Sequence, residues 1–324
     1  MSGFKTGTDQ YTHLSRANLW STQLKDVLES QLLGFRWMKM VTDFADGDTL
    51  NIPSIGSMVA TDYAEGQQVP YSAFNTGNFT FSINEYKSVG TYIYNKFKQD
   101  SFYMNEVVSS FVPKMSRAIA VAMEADMLAA ATPAATGGQT TASSNTLNGA
   151  KHRMVGSGLN EVMVIDDIRK MAYALERSNV PLTNLVGIID PSVAYELGNQ
   201  PNVLNFSSNP QWEGIITTGL SDGMKFFRNV WGFDLYVSQH LNVNSGSEAI
   251  DGVTAAAGVN NLFFSATGDM LPIIGQVRQA PKVDSSYNKD FQRDEYVTTA
   301  RWGVKLFRPE NMGIIVTDTD QVYA

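Results

Sequence analysis

The chain has 324 residues, of which 43% are hydrophobic and 17% are charged, and its formal net charge at pH 7 is −8. Because it contains no cysteine, disulfides, thiolate metal sites and a cysteine nucleophile are excluded, and its acidic balance without a run of basic residues argues against a dedicated nucleic-acid binder. No apolar run reaches the roughly 18 residues of a membrane span, and the first residues lack the apolar segment of a secretory signal peptide.

Residues 1–45 are predicted to form an N-terminal arm. Residues 1–20 are polar and show neither a helical nor a strand period, which is typical of an extended segment. Between Leu19 and Met40, apolar residues recur at helical spacing, so we predict a short amphipathic helix there. The aromatic and basic cluster at 35–37 is interpreted as a packing anchor.

Residues 46–98 alternate between apolar and polar residues in short runs. Such a period of two, with β-branched and aromatic residues, predicts strands around Leu50, Phe81 and Thr91. A hairpin of about fifty residues with few bulky apolar side chains cannot enclose a core of its own. We therefore expect this segment to lie against something else.

A long amphipathic helix is predicted over residues 101–132. Its apolar residues recur every three or four positions and form one broad stripe. At 1.5 Å per residue, the helix would be about 45 Å long. Pro113 lacks the N–H of a regular helix turn, so we expect either a kink or two abutting helices there. Asp126 falls on the apolar stripe, which favours a buried structural pairing over catalysis.

The next part of the chain alternates between helices and strands. Small and polar residues at 133–160 predict a loop or a mobile connector. A helix then opens at Asp166-Asp167, an apolar strand runs from Leu185 to Ile189, and a second helix starts at Pro191. This pattern is typical of a compact α/β lobe.

The rest of the chain is predicted to be mostly strands. Residues 225–240 read as two strands around Gly232, and 261–266 as another. The tail alternates up to Gly303, contains turn residues at 309–311 and ends in an apolar run at 314–316. We predict that the tail folds as one hairpin with a long pair of strands.

No set of residues has the spacing of a catalytic or metal site. The three histidines, His13, His152 and His240, do not have metal-ligand spacing, so we expect structural or incidental roles. The glycines at 156 and 158 have no preceding strand and predict a flexible turn rather than a phosphate cradle. Helix capping explains the adjacent carboxylates at 166 and 167. We therefore expect a non-enzyme without a cofactor or metal.

Five segments carry a resemblance to a known family. They are GDTLNIP through EYKSVGTYIYNKFKQD, the helix end MSRAIAVAMEADMLAAA, the pair IIDPSVAYEL and NVWGFDLYVSQHL, and the tail EYVTTARWGVKLFRPENMGIIV. In this order and spacing, they resemble the major capsid proteins of tailed phages. Those proteins have the Hong Kong phage capsid fold, also called the Johnson fold. The resemblance implies an α+β fold.

The resemblance also implies a domain layout. Residues 1–45 would be the N-terminal arm, 46–98 the extended loop, 99–162 a peripheral domain with the spine helix at 101–132, 163–285 an α/β axial domain, and 286–324 the return strands of the peripheral domain. Copies would assemble in the host cytoplasm as pentamers and hexamers of an icosahedral virion shell. The shell would enclose packaged double-stranded DNA without sequence-specific contacts.

The implied partners are other copies of the chain. A separate scaffolding protein, a portal and a decoration protein are further expected partners, and no membrane is expected. In the founding member of the family, a lysine on the extended loop is cross-linked to a neighbour. Here no lysine lies between Gly47 and Tyr86, so we expect no covalent chainmail at the loop tip. An encapsulin-like compartment that encloses cargo enzymes is the alternative function, and an unrelated hydrolase or sugar-binding protein is a third.

Nine positions are candidates for structural or interface roles, chosen as aromatic side chains and as irregular positions of the spine helix. They are Trp20, Trp37, Tyr63, Tyr71, Phe74, Pro113, Asp126, Trp231 and Trp302.

Overall fold

The computed structural model of the protein describes residues 36–41, 47–55, 60, 62, 65–68, 76–100, 104–131, 146–199, 226–244, 249–250, 253–254 and 258–318. Within these residues the chain forms a four-stranded sheet and a seven-stranded sheet, which we call the long sheet and the central sheet. A long helix packs on the first sheet, and two shorter helices pack on the second.

The long sheet contains the two longest strands of the described chain. Its order is β1 (Met38–Met40), β15 (Ile273–Asn288), β16 (Arg293–Leu306) and β4 (Glu85–Tyr94). All neighbours are antiparallel except β1 and β15. Along β16, buried residues alternate with more exposed ones, so one face of the sheet is covered. The strand predicted from the alternation of the tail is confirmed.

The covered face of the long sheet lies against the spine helix, α2 (Met104–Ala129), which follows the short helix α1 (Asn95–Asp100). Ile119 and Met123 of the spine helix pack on the buried Trp302 of β16. The helix has 26 residues and is about 39 Å long. It continues through the exposed Pro113 as one helix, so the predicted possibility of two abutting helices is wrong.

A two-stranded hairpin, β2 (Thr49–Ile55) with β3 (Thr76–Ser82), leaves the long sheet at the start of β4. Its base packs against the chain itself, because Phe81 is buried beside Ile274 and the rings of Phe79 and Phe307 are 5.0 Å apart. A side chain at Gly303 would place its Cβ 2.5 Å from the Ser82 carbonyl oxygen. The glycine therefore allows the hairpin base to cross β16 closely.

The central sheet has seven strands, which are β7 (Arg153–Val155), β8 (Leu185–Ile189), β9 (Phe226–Val230), β10 (Phe233–Val237), β11 (Val243–Asn244), β14 (Gly258–Ser265) and β17 (Gly313–Asp318). Their order in the sheet is β7-β17-β14-β8-β10-β9, with β11 beside β14. Most neighbouring strands are antiparallel, but β8 is parallel to β10 and β7 is parallel to β17. Two further small hairpins are β5 (Thr146–Leu147) with β6 (Ala150–Lys151) and β12 (Ala249–Ile250) with β13 (Val253–Thr254).

Both faces of the central sheet are covered, which explains why every residue of β8 and β14 is buried. On one face, helices α3 (Ile165–Arg177) and α4 (Pro191–Asn199) pack over a core that includes Phe263. On the other face, Trp37 and Phe264 pack with the end of the spine helix and the start of the long sheet. This second core joins the two sheets into one structure.

The tail is not the predicted hairpin. β16 belongs to the long sheet and β17 to the central sheet, so the turn at 309–311 is a crossover between sheets. The buried Asn311 fixes this crossover, because its amide donates to the carbonyls of Ser265 (2.9 Å) and Met270 (2.6 Å) and accepts from the Ser265 N–H (2.9 Å). The domain boundary predicted at 285 lies within β15.

Two other predictions need correction. Part of the predicted loop at 133–160 is structured, since β5, β6 and β7 lie within it and β7 adds to the edge of the central sheet. The predicted helix from Leu19 to Met40 is wrong at its end, where Met38–Met40 is a strand. Residues 1–35 and 132–145 lie outside the described residues. Among the described helices, none is long and apolar enough to span a membrane.

The buried His152 ties three segments together behind β7. Its Nδ1 is 3.2 Å from the Ala150 carbonyl oxygen, and its Nε2 is 3.2 Å from the Glu310 carbonyl oxygen and 3.0 Å from the Ser178 hydroxyl. Burial lowers the pKa of His152 below its ordinary 6.5, although the two carbonyls act in the opposite direction. His152 therefore has the structural role that was expected.

The lowered pKa of His152 predicts a stability that depends on pH. The folded protein binds this proton less readily than the unfolded chain does. The stabilising contribution is therefore complete above pH 6.5 and is lost as the pH falls from 6.5 toward the lowered value. We expect the free energy of unfolding in urea to fall on acidification by at most about 1.4 kcal/mol per pH unit from this group. His152→Gln should remove this component, whereas the control His240→Gln should keep it; identical pH profiles for all three proteins would contradict the assignment.

Candidate assembly surfaces

A three-residue junction attaches the spine helix to the long sheet. Asp126 Oδ2 accepts hydrogen bonds from Lys87 Nζ (2.6 Å) and from the Trp302 indole N–H (3.1 Å). Lys87 is on β4, Asp126 on the spine helix and Trp302 on β16. The Lys87 ammonium also lies 5.3 Å from the Trp302 ring centre. The structural pairing that the sequence favoured for Asp126 is thus a pairing across three elements, although its side chain is 27% exposed rather than buried.

Beyond the hairpin base at Gly303, the described residues leave the opposite face of the long sheet uncovered, and this face carries large apolar side chains. Alternation along β4 directs Val89 and Ile93 toward the spine helix and directs Tyr86, Tyr92 and Tyr94 to the other side, where they are exposed. Val297 of β16 pairs with Gly90 and is exposed on that same side. Exposed apolar patches of this kind mark surfaces that bind other molecules.

The far end of the long sheet, which we call the sheet tip, consists of residues 94–97 and 287–293. The Asn95 side chain donates to the Tyr287 hydroxyl (3.0 Å), and its backbone N–H donates to the Gln292 carbonyl (3.0 Å). The Gln292 side chain in turn donates to the Lys289 carbonyl (2.9 Å). Gln292 has a φ of 51°, in the left-handed region. These bonds fix the turn between β15 and β16 against α1.

An open cleft of about 510 Å³ lies at the sheet tip. It is lined by Tyr94, Asn95, Lys96, Phe97, Phe291 and Gln292. Both phenylalanines in this lining are exposed to solvent. The cleft is therefore an apolar site that is open to a partner.

Charged side chains next to the sheet tip contact its aromatic rings and pair with each other. The Arg293 guanidinium lies 4.4 Å from the Tyr92 ring centre and 4.7 Å from that of Phe291. Its Nε donates to Glu295 (2.7 Å), which lowers the pKa of that carboxyl. Lys98 of α1 forms an ion pair with Asp294 of β16. The Arg293 guanidinium thus contacts Phe291 of the tip and Tyr92 of β4 within the single chain.

A second exposed aromatic lies on the α/β lobe. Trp231 occupies the tight turn between β9 and β10 with a φ of 51°, next to Gly232 with a φ of 82°. A bulky residue in this region is uncommon and costs free energy. The Arg169 guanidinium of α3 lies 6.0 Å from its ring centre. Trp231, a predicted candidate, is therefore at the surface.

The other predicted candidates fall into two groups. Trp37 is buried against Tyr236 and Phe264, with ring centres 4.7 and 6.3 Å away, so it packs the core rather than a surface. Trp302 is buried under the spine helix. Trp20, Tyr63, Tyr71 and Phe74 lie outside the described residues.

The glycines at 156 and 158, which were predicted to form a flexible turn, belong to a loop at residues 156–164 that we call the Leu159 loop. Its bonds are those of a fixed loop, because the buried Asp167 carboxylate accepts from the Ser157 N–H (2.9 Å), the Ser157 hydroxyl (2.6 Å) and the Val164 N–H (3.2 Å). Asp167 thus caps α3, as predicted, and also holds the loop. The described residues contain no group of three or more His, Asp or Glu side chains that could hold a metal ion.

The exposed tyrosines of β4 and the sheet tip were missed by sequence reasoning. The alternation of β4 contained a signal, since residues 86, 92 and 94 share the strand face opposite Val89 and Ile93. Phe97, Leu159 and Phe291 lie in a short helix or in loops, where no periodic pattern distinguishes an exposed residue from a buried one.

Comparison with known proteins places this fold among capsid proteins. Residues 93–316, more than half of the chain, match the family described as phage capsid protein. No curated protein matches the chain. The predicted resemblance is confirmed by the family match.

Solved structures of phage capsids share the fold. A Mycobacterium phage Che8 structure has 16% identity and a TM-score of 0.65 and covers 92% of this chain and 96% of that chain. The capsid of cyanophage P-SCSP1u gives 16% identity, a TM-score of 0.65 and coverages of 92% and 93%. The capsid asymmetric unit of cyanophage Pam1 has 15% identity and a TM-score of 0.62 and covers 99% of this chain and 100% of that chain. The predicted fold class, α+β of the Hong Kong phage capsid type, is confirmed.

The junction predicts an order of stabilities among variants at residue 126. Asp126→Ala leaves the indole N–H of Trp302, a residue only 1% exposed, without its acceptor, and we expect a loss of about 1–3 kcal/mol. Asp126→Asn keeps an acceptor and loses only the ion pair with Lys87. Because the two side chains are 27% and 36% exposed, we expect that loss to be about 0–1 kcal/mol.

Urea unfolding of unassembled subunits measures these differences. Lys87→Met removes the same ion pair and also the contact of the ammonium with the Trp302 ring, so it should destabilise the protein at least as much as Asp126→Asn. Asp269→Ala is the control, because its ion pair with Lys39 lies at the surface, and it should not change stability measurably. An Asp126→Ala variant as stable as Asp126→Asn would show that the indole bond contributes nothing.

Proposed function

The chain belongs to the phage capsid protein family, and from this premise we propose that it assembles as pentamers and hexamers into the icosahedral head shell of a tailed phage. The chain is a structural protein of a viral capsid. The observation that supports assembly most directly is the long sheet, which is covered by the spine helix on one face and exposes tyrosines on the other. A face of this kind suits burial against neighbouring subunits.

We assign the segments of the chain to the domains of a capsid subunit as follows. The spine helix and the long sheet, including β15 from Ile273, form the peripheral domain. The central sheet with α3 and α4 forms the axial domain, which includes β17 although it comes last in the chain. The hairpin of β2 and β3 is the base of the extended loop that lies across a neighbour, and residues 1–35 belong to an arm that also contacts neighbours.

The proposed shell encloses double-stranded DNA without reading its sequence. The net charge of −8 supports this, because a wall with few attractive phosphate contacts does not retain DNA during packaging. The protein would be assembled in the host cytoplasm and act in the virion head. A separate scaffolding protein and a portal are proposed partners, and a decoration protein is a further one.

Electron microscopy of purified particles tests the proposal. We expect closed icosahedral shells with five-fold and six-fold clusters of subunits when the protein is produced together with its genome neighbours. Nuclease treatment should leave DNA protected inside particles purified from infected cells. A protein that elutes only as a monomer under all assembly conditions would contradict the proposal.

The proposed shell should be non-covalent at the loop tip. Because no lysine lies between Gly47 and Tyr86, that loop has no ammonium group for an amide bond with a neighbour. Boiling assembled particles in denaturing detergent should therefore release free monomer on a gel. A ladder of linked subunits that resists reducing agents would show that another lysine forms cross-links.

A further inference from the structure

The Leu159 loop displays an apolar side chain on a rigid support. Leu159 is 86% exposed, the highest value among the exposed large apolar side chains of the described residues. The Gly158 N–H donates to the Val162 carbonyl (2.9 Å), and the Gly156 N–H donates to the Val316 carbonyl of β17 (2.9 Å). Together with Asp167, these bonds anchor the loop to the central sheet and to α3. A leucine held out in this way is pre-organised for contact.

Backbone strain and an unpaired acid lie in the same loop. Glu161 has a φ of 61°, in the left-handed region, and its buried Oε2 has no hydrogen-bond partner. A Cβ at Gly156 would lie 2.4 Å from the Glu161 carbonyl oxygen, so the loop is tightly closed. Strain, a solvent-exposed leucine and an unpaired carboxylate oxygen each cost free energy in the isolated chain. A contact that covers Leu159 would offset the cost of its exposure and of the strained turn, whereas the buried Oε2 of Glu161 is not within reach of a partner.

The sheet tip offers a complementary site. Its cleft has aromatic walls from Tyr94, Phe97 and Phe291, and it carries the ammonium group of Lys96, an exposed residue. The loop therefore presents the apolar Leu159 side chain two residues before the negatively charged Glu161. The cleft presents an apolar surface beside the positively charged Lys96. Both are held by hydrogen bonds before contact, which reduces the entropy lost on binding.

A chain cannot fill its own cleft with its own loop. The loop is bonded to the central sheet through Val316, and β15 starts at Ile273 in the core shared with that sheet. From there, the 16 residues of β15 carry the sheet tip about 50 Å away. The Leu159 loop of the same chain therefore cannot reach this cleft.

We propose that Leu159 of one copy inserts into the sheet-tip cleft of a neighbouring copy, where Glu161 faces Lys96. This contact rests on the proposed function, because it names the partner as a second copy within the shell. The Leu159 loop and the cleft are different surfaces of one chain, so the contact is head-to-tail. Repeated contacts of this type close into rings when the rotation between copies allows it.

Engineered disulfides test the contact directly, because the natural chain has no cysteine. The double variant Leu159→Cys/Phe291→Cys, assembled and then oxidised, should give a ladder of linked subunits on a non-reducing gel. The matched control, Leu182→Cys/Phe291→Cys, uses another exposed leucine outside the Leu159 loop and should remain largely monomeric. A Leu159→Cys/Phe291→Cys variant that stays monomeric in assembled shells would overturn the proposal, as would a disulfide within one chain.

A charge exchange tests the polar part of the same contact. Lys96→Glu and Glu161→Lys, each alone, place like charges together, and we expect each to reduce the yield of shells by about tenfold. The combination Lys96→Glu/Glu161→Lys restores opposite charges and should recover most of the yield. Thermal unfolding of the unassembled variants shows whether each folds like the natural chain. Single variants with a normal yield, or a double variant no better than the singles, would contradict the pairing.

The two proposals fail in different ways. If the natural chain forms shells and the cysteine pair does not link, the Leu159 contact is wrong and the capsid function stands. If the natural chain forms no shells and the Leu159→Cys/Phe291→Cys variant forms no linked subunits, both proposals are wrong.

Discussion

The attachment of one helix to one face of one sheet is the constraint on which the rest of this protein depends. The Asp126 carboxylate binds β4 through Lys87 and β16 through Trp302, at the point where the spine helix crosses both strands. Ile119 and Met123 extend the contact along the helix. The long sheet therefore has one face that is covered by the helix and another that exposes aromatic side chains. We propose the exposed face for contacts with neighbouring subunits.

The long sheet and the central sheet are also held in a fixed position relative to each other. The core around Trp37 and Phe264 includes residues of the spine helix, the long sheet and the central sheet. The crossover at Asn311 adds polar fixation, since one amide satisfies three backbone groups at the place where the chain passes from one sheet to the other. His152 contacts the same crossover through the carbonyl oxygen of Glu310. Apolar burial and specific hydrogen bonds therefore hold the sheets together at a single joint.

Sequence patterns predicted the local elements better than their connections. The apolar steps of three and four predicted the spine helix, and the alternation before Gly303 predicted β16, because both periods depend on one chain segment alone. The tail hairpin was wrong because turn residues at 309–311 look alike whether the next strand pairs with the last one or enters another sheet. Asp126 could be flagged as a polar residue on an apolar stripe, but its partners are 39 and 176 positions away in the chain. Leu159 and Phe291 lie outside periodic segments, so their exposure depends on tertiary contacts that no local pattern contains.

A low charged fraction and strained, exposed side chains have one explanation in an assembly. The exposed aromatics of the sheet tip and the strained Trp231 would each be repeated in every subunit of the proposed shell. A closed lattice makes later contacts intramolecular, so weak individual contacts suffice for a stable whole. Surfaces that are modest and pre-organised also allow wrongly placed subunits to dissociate before closure. In the proposed shell, several rigid, small contacts of the proposed Leu159 type would therefore serve better than one large apolar interface.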